Sequence, residues 1–184
     1  MTADSAAGWG PDGRPAAVSV VFESLTAGAD LEAERRDEPS VSPALPTILR
    51  ALGDRAIRAT FLVTPALSEK EPLALTMVEN GGHELGPLPY EGPAAARDAA
   101  FLLPSLAGVP DAEPRGTNAL HQALQLAIGN GLQDRAHTIL VFTPGLLERQ
   151  DSLAVFVETL ELIEGLREAD RLWVPTLREV VSPA

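Results

Sequence analysis

The sequence predicts an α/β fold built on a parallel sheet, and two patterns carry that prediction. Short, β-branched apolar runs recur without alternation (AVSVVF, ATFLV and TILVF), as strands buried on both faces do. Between them lie longer segments with leucines at helical spacing and with capping signals, so strand and helix alternate as in βα units. A length of 184 residues with 45% apolar residues fits one domain with a buried core.

Residues 1–16 are small, polar and rich in Gly and Pro, and are predicted to form a flexible N-terminal arm. Trp9 is the side chain that would pin this arm into a groove. The domain proper is assigned to residues 17–184. Ala17 to Phe22 reads as the first strand, ending at Glu23 and Ser24. Thr26 to Ser42 is acidic and aperiodic, hence a long loop. Ser42 before Pro43 signals an N-cap, and Leu45, Ile48, Leu49 and Leu52 then share one helix face. Ala59 to Val63 is the second strand. Ser68 and Glu71 read as a capping box for a helix carrying Leu73, Met77 and Val78, stopped by Gly81 and Gly82. Helices are predicted over 94–107 and over 117–132, the latter with Leu120, Leu124, Ile128 and Leu132 on one face. Thr138 to Phe142 is a strand, and Asp151 or Ser152 opens a helix bearing Leu153, Phe156, Val157 and Leu160. Arg171 to Val174 is the last strand, and a capping box from Thr176 to Glu179 starts a short terminal helix.

Composition removes several function classes. Lys plus Arg is 14 against 26 Asp plus Glu, a formal charge of -12, the wrong sign for tracking phosphates, so nucleic acid is not an expected partner. The chain has no cysteine, which removes disulfides, thiolate metal sites and cysteine nucleophiles, and only three histidines. The motifs GxxxxGKS, HExxH and GxSxG are absent, and the one GxGxxG, at Gly8, Gly10 and Gly13, stands before the first strand instead of between a strand and a helix, so no nucleotide or dinucleotide cofactor is expected. The opening residues show no basic and then apolar leader pattern, and no apolar run approaches the roughly 20 residues of a bilayer span. The expectation is a cytoplasmic protein without a membrane partner.

Three stretches in order, AVSVVFES, then ALPTILRALGDRAIRATFLVTPALSEKEPLALTMVENGGHELG, then TILVFTPGLLERQDSLAVFVETLELI with RLWVPTLREVV, cover about half the chain. They resemble the polysaccharide deacetylase family, the NodB-homology domain of carbohydrate esterase family 4, and more narrowly its cytoplasmic peptidoglycan deacetylase and allantoinase-like branch. The second stretch is similar to the family's helix, its "ATFF" strand, its next helix and its "GHEIG" turn. The resemblance implies an α/β fold that is a shortened, incomplete (β/α) barrel. The stretch between Arg115 and the strand at Thr138 leaves no room for one of the family's strand–helix units.

The family binds a divalent metal through an aspartate after the first strand and two histidines after the glycine turn. Position by position, the resemblance puts Glu23 and Ser24 at the first place and Leu88 and Gly92 at the histidine places, so it implies that the metal set is broken and that no metal is bound. The late histidine position falls on Thr143. The family's arginine motif lies near Arg115, although Asn118 is the better-matched position.

The candidate catalytic residues are therefore Glu23, Tyr90 and Thr143, and the candidate substrate-binding residues Ser24, Leu88, Arg115 and Arg149. Glu23 stands at the carboxyl end of a strand, where such folds deliver side chains to ligands, and keeps a carboxylate able to act as acid or base. Its alternative role is an ion pair with Arg58 or Arg115. Arg149 would bind a ligand carboxylate or cap its own helix. His83 and Glu84 read as a structural turn, and His121 and His137 as surface residues. The expected function is a metal-independent small-molecule enzyme, a cyclase, isomerase or lyase of biosynthesis that uses Glu23. The alternatives are a non-catalytic binding or scaffold pseudoenzyme, and an atypical C–N or ester hydrolase. The expected partners are a small-molecule ligand and a second copy of the chain, a homodimer formed through the open barrel edge, the alternative cover for that edge being residues 1–16.

Overall fold

The computed structural model describes residues 8–23, 25, 41–88, 100–102 and 114–181, with the backbone alone at 100–102, 114–117 and 181. Among the described residues six strands make one parallel sheet: β1 (Ala16–Glu23), β2 (Thr60–Val63), β3 (Glu84–Pro87), β4 (Ala100–Leu102), β5 (His137–Phe142) and β6 (Leu172–Trp173). Their order is β3-β2-β1-β5-β4, with β6 beside the first residues of β1. Among the described residues β3 and β4 have no strand on their outer sides, so the sheet is a half-barrel and not a closed one. The helices are α1 (Leu45–Gly53), α2 (Pro65–Lys70), α3 (Pro72–Asn80), α4 (Pro114–Asp134), α5 (Gln150–Glu168) and α6 (Leu177–Val181).

Strand alternation divides the sheet into two apolar faces. On the outer face Val18, Val20, Phe22, Phe61, Leu140 and Phe142 pack under the helices, against Ile48, Leu52, Leu124, Ile128 and Phe156 among others. Phe22 is the centre of this layer, stacked 4.6 Å from Phe61 and lying 5.8 Å from Phe156 and 5.9 Å from Phe142. On the inner face Val21, Leu62, Ile139, Val141 and Leu177 form a second cluster, with Leu88 packed on it. Leu177 belongs to α6, so the C-terminal segment fills the inside of the half-barrel. Hydrogen bonds hold it there. The Leu177 amide donates to Thr60 Oγ1 (2.9 Å), the Thr60 hydroxyl donates to Glu84 Oε2 (3.1 Å), and the Arg178 amide donates to the same carboxylate (3.0 Å). The predicted box at Thr176 and Glu179 is present as a 2.9 Å bond from the Thr176 amide to Glu179.

Several local expectations are corrected. The helix predicted from Ser42 begins at Leu45, because Ser42 instead accepts from the Ala44 amide and donates to Glu148 (2.9 Å). The single helix predicted from Ser68 is two: Thr64 caps α2 through the Leu67 amide (3.3 Å), and Pro72 opens α3. On α3 the buried residues are Ala74 and Val78, while Leu73 and Met77 face outward. Within the predicted 94–107 helix, Ala100–Leu102 is a strand in register with Thr138–Leu140, and the rest lies outside the described residues. The loop expected over 26–42 is outside them except at 41 and 42.

Residues 8–14, expected in a flexible arm, are a turn docked at the amino-terminal end of the sheet. The Trp9 and Arg14 backbones exchange two hydrogen bonds (2.7 and 2.8 Å), Trp9 Nε1 donates to the Arg135 carbonyl (2.8 Å), and Arg14 pairs with Asp170. Gly10 has φ +68 and lies on the Trp173 ring, where a Cβ would sit 2.5 Å from Cδ2. Gly10→Ala is thus both strained and sterically blocked, and is expected to undock the turn. Chymotrypsin should then cut after Trp9 several-fold faster than in the wild-type chain; an unchanged rate would show that the turn tolerates the side chain.

Candidate functional site

The carboxyl ends of parallel strands are where α/β folds place ligands, and two of the predicted residues meet there. Phe22 is in register with Phe142, so the next residues, Glu23 and Thr143, stand side by side at the ends of the two central strands. Glu23 follows the inward-facing Val21 by two positions and is in register with Leu62. Glu23 and Thr143 are both half-buried. Leu88 lies beyond the end of β3, its amide bonded to the Val63 carbonyl (2.9 Å) and its side chain on the inner cluster. Among the described residues, the mouth of the half-barrel thus holds the Glu23 carboxylate and the Thr143 hydroxyl over an apolar floor of Val21, Leu62, Val141 and Leu88.

Ser24 and Tyr90 lie outside the described residues, as does Gly92, and Arg115 is described only as backbone at the start of α4. Arg149 is exposed and occupies the N-cap position of α5 without a side-chain capping bond. Arg58, the alternative partner of Glu23, is instead paired with Glu179.

The histidines divide differently from expectation. His121 is on the helical surface, 3.0 Å from Glu158 and 2.7 Å from Gln125. His83 is buried, its Nδ1 accepting from the Ala59 amide (3.3 Å) and its ring edge-on to Phe61, which fits a structural turn. Burial pushes its pKa down. His137, expected at the surface, is buried on the inner face. Ser19 donates its hydroxyl to the Pro175 carbonyl (2.9 Å), so His137 Nε2 must carry the proton that it shares with Ser19 Oγ (2.9 Å). The Ser19 hydroxyl is turned away from the imidazole's lone pair, and the pair is an internal brace and not a nucleophile with its base.

Two cavities open near the carboxyl end of the sheet. One, lined by Val141, Thr143, Leu146 and Ser152 among others, has about 10 Å³, at the lower limit for a single water. The other has about 230 Å³ and lies between the starts of α1 and α5, lined by Pro43, Ala44, Thr47, Leu147, Glu148 and Leu153. No sequence signal singled out its lining, because the groove exists only where the Ser42–Glu148 bond ties two distant segments together.

The fold is that of the polysaccharide deacetylase-like (β/α) barrel, an open half-barrel among the described residues. No protein-family model matches the chain, and no curated protein matches it. Solved structures do. Over 94% of this chain and 91% of the other, it superposes on a Mycobacterium smegmatis protein described as a polysaccharide deacetylase, with a TM-score of 0.66 and 12% identity. A polysaccharide deacetylase described from Pseudomonas aeruginosa PAO1 gives 0.62 over the same shares, also at 12% identity. The allantoinase Puue gives 0.55 and 12% identity over 94% of this chain and 90% of that one. The scaffold is one that hydrolases use.

A divalent metal of the kind that the resembled family binds does not fit the residues described at this mouth. Its ligands would include side chains at the positions of Glu23 and Leu88, and Leu88 is a hydrocarbon packed on the inner cluster. Among the described residues no three His, Cys, Asp or Glu side chains gather where one ion could be held. The described helices include none long and apolar enough to cross a membrane.

Proposed function

We propose that the mouth of the half-barrel handles a small, largely apolar molecule without a metal, with Glu23 as its acid or base. The observation that carries this reading is the placement of Glu23 beside Thr143, at the ends of the two central strands and above an apolar floor. A carboxylate at such a position can take a proton from one atom of a bound molecule and return it to another, the core of isomerase, cyclase and lyase chemistry. Thr143 would orient the ligand by one hydrogen bond, and Leu62, Val141 and Leu88 would bury its apolar part. A second reading, a non-catalytic binding protein, is favoured by the filling of the barrel interior by Leu177 and by the 10 Å³ limit of the cavity at Thr143.

Native mass spectrometry of chain purified without chelator tests the metal-free site. The expected spectrum shows no stoichiometric zinc and a small organic adduct; one zinc per chain would revive the hydrolase reading and overturn ours. With that adduct as substrate, Glu23→Gln is expected to lower turnover at least 100-fold while leaving binding intact. Unchanged turnover would remove Glu23 from the chemistry, and no turnover by the wild-type chain would leave the binding protein.

A further inference from the structure

We propose that the outer face of α4 is a self-association surface, on which a second copy of this chain docks with its own α4 antiparallel. The chain carries 26 acidic and 14 basic residues, yet Gly116 to Gln133 contains no Asp, Glu, Lys or Arg. The other long helix, α5, exposes Asp151, Glu158, Glu161 and Glu168. Helix α4 already buries one stripe, Leu120, Leu124 and Ile128, against the sheet. The opposite face of such a helix is ordinarily charged. Here it carries a second stripe of exposed residues, Ala119, Gln122, Leu126, Gly129 and Gln133, with Leu126 at 64% exposure. Their separations alternate between three and four positions, the spacing of a helix-to-helix seam.

The occupant follows from charge and from symmetry. In a twofold contact every carboxylate is doubled, so an acidic chain associates with itself best where carboxylates are absent. A basic partner would be drawn to the acidic faces instead. The sequence of the seam is also complementary to itself. About a twofold axis through Leu126, with the two helices antiparallel, Leu126 meets its copy, Gln122 meets Asn130, and Ala119 meets Gln133. Amide faces amide, each able to donate and accept, and small faces large. Ala123 and Gly129 flank the axis and let the backbones approach. The homodimer expected at the open edge is thereby moved to the helix that links edge strand β4 to β5.

Sedimentation velocity of the full chain over a wide concentration range is expected to show a dimer that dissociates on dilution. Leu126→Glu should remain monomeric throughout, with an unchanged circular dichroism spectrum because the site is exposed. The absence of native cysteine allows a positional test. In Leu126→Cys two thiols meet on the axis; oxidised glutathione takes up their two electrons and two protons, and most of the chain is expected to become covalent dimer. Leu73→Cys, on the exposed face of α3, should stay monomeric under the same conditions. A wild-type chain that is monomeric at every concentration overturns the proposal. So does a dimer that survives Leu126→Glu, or cross-linking at Leu73→Cys in place of Leu126→Cys.

Discussion

Between pH 6.5 and pH 4 the fold is expected to lose about 3 kcal/mol through His137 alone. Burial pushes the pKa of His137 down to about 4 from its ordinary 6.5. Its Nε2 proton is engaged with Ser19, and its Nδ1 is buried with no hydrogen-bond partner among the described residues. A proton added at Nδ1 would therefore place a charge with nothing to accept from it, beneath the Trp9 ring 5.5 Å away. The direction is fixed by which state binds the proton first. As pH falls below 6.5 the unfolded chain takes up a proton that the folded chain refuses, so unfolding is favoured, and the loss levels off below pH 4. His83, also buried and pushed down, acts in the same direction. Protonating the many carboxylates of a chain with a charge of -12 relieves repulsion and works the other way, so the informative quantity is a difference. Urea unfolding at pH 7, 5.5 and 4 should show the wild-type chain losing stability relative to His137→Gln, whose amide can still donate to Ser19. Parallel curves for the two proteins would show that His137 is not the acid-sensitive group.

His137 also shows where reading the sequence stops. It stands after Asp134 and Arg135, in a stretch that looks like a charged loop. It is buried because β5 starts one residue earlier than the apolar run, and because a turn more than a hundred positions away lies over it. The central strands were legible for the opposite reason. They are covered on both faces, so β1, β2 and β5 are mostly apolar without alternation, and their ends mark Glu23 and Thr143 without reference to any partner. The alanine- and leucine-rich neighbourhood of Ala100–Leu102 predicts a helix, and pairing with β5 overrides that propensity. Helix starts failed where a hydroxyl found a tertiary partner, as Ser42 does in Glu148. The half of the candidate site carried by strand ends could thus be read from the chain. The groove between α1 and α5 could not, since it forms where tertiary contacts, the Ser42–Glu148 bond among them, bring two distant segments together.

Truncating Phe22 is expected to be the most damaging single core change, at about 3–5 kcal/mol for Phe22→Ala. Phe22 is fully buried at the point where three aromatic rings from β2, β5 and α5 converge. Removing its ring opens a cavity that stiff strands on both sides cannot close, so lost burial and lost contacts add. For a domain of this size the midpoint of thermal unfolding should fall by roughly 10 °C or more. Phe22→Leu keeps much of the volume and should lose far less. A loss below about 1 kcal/mol for the alanine variant would mean that the layer relaxes around the gap, and that the rings are not the keystone of the sheet. The effect reaches the mouth of the half-barrel through covalent geometry. Phe22 is the last residue of β1 held in register with both β2 and β5, and Glu23 is the next along the chain. Loosening Phe22 releases the strand end that sets Glu23 beside Thr143. At temperatures where Phe22→Ala is still folded, the organic adduct should therefore be retained more weakly than in Phe22→Leu, and equal retention would separate the core from the site.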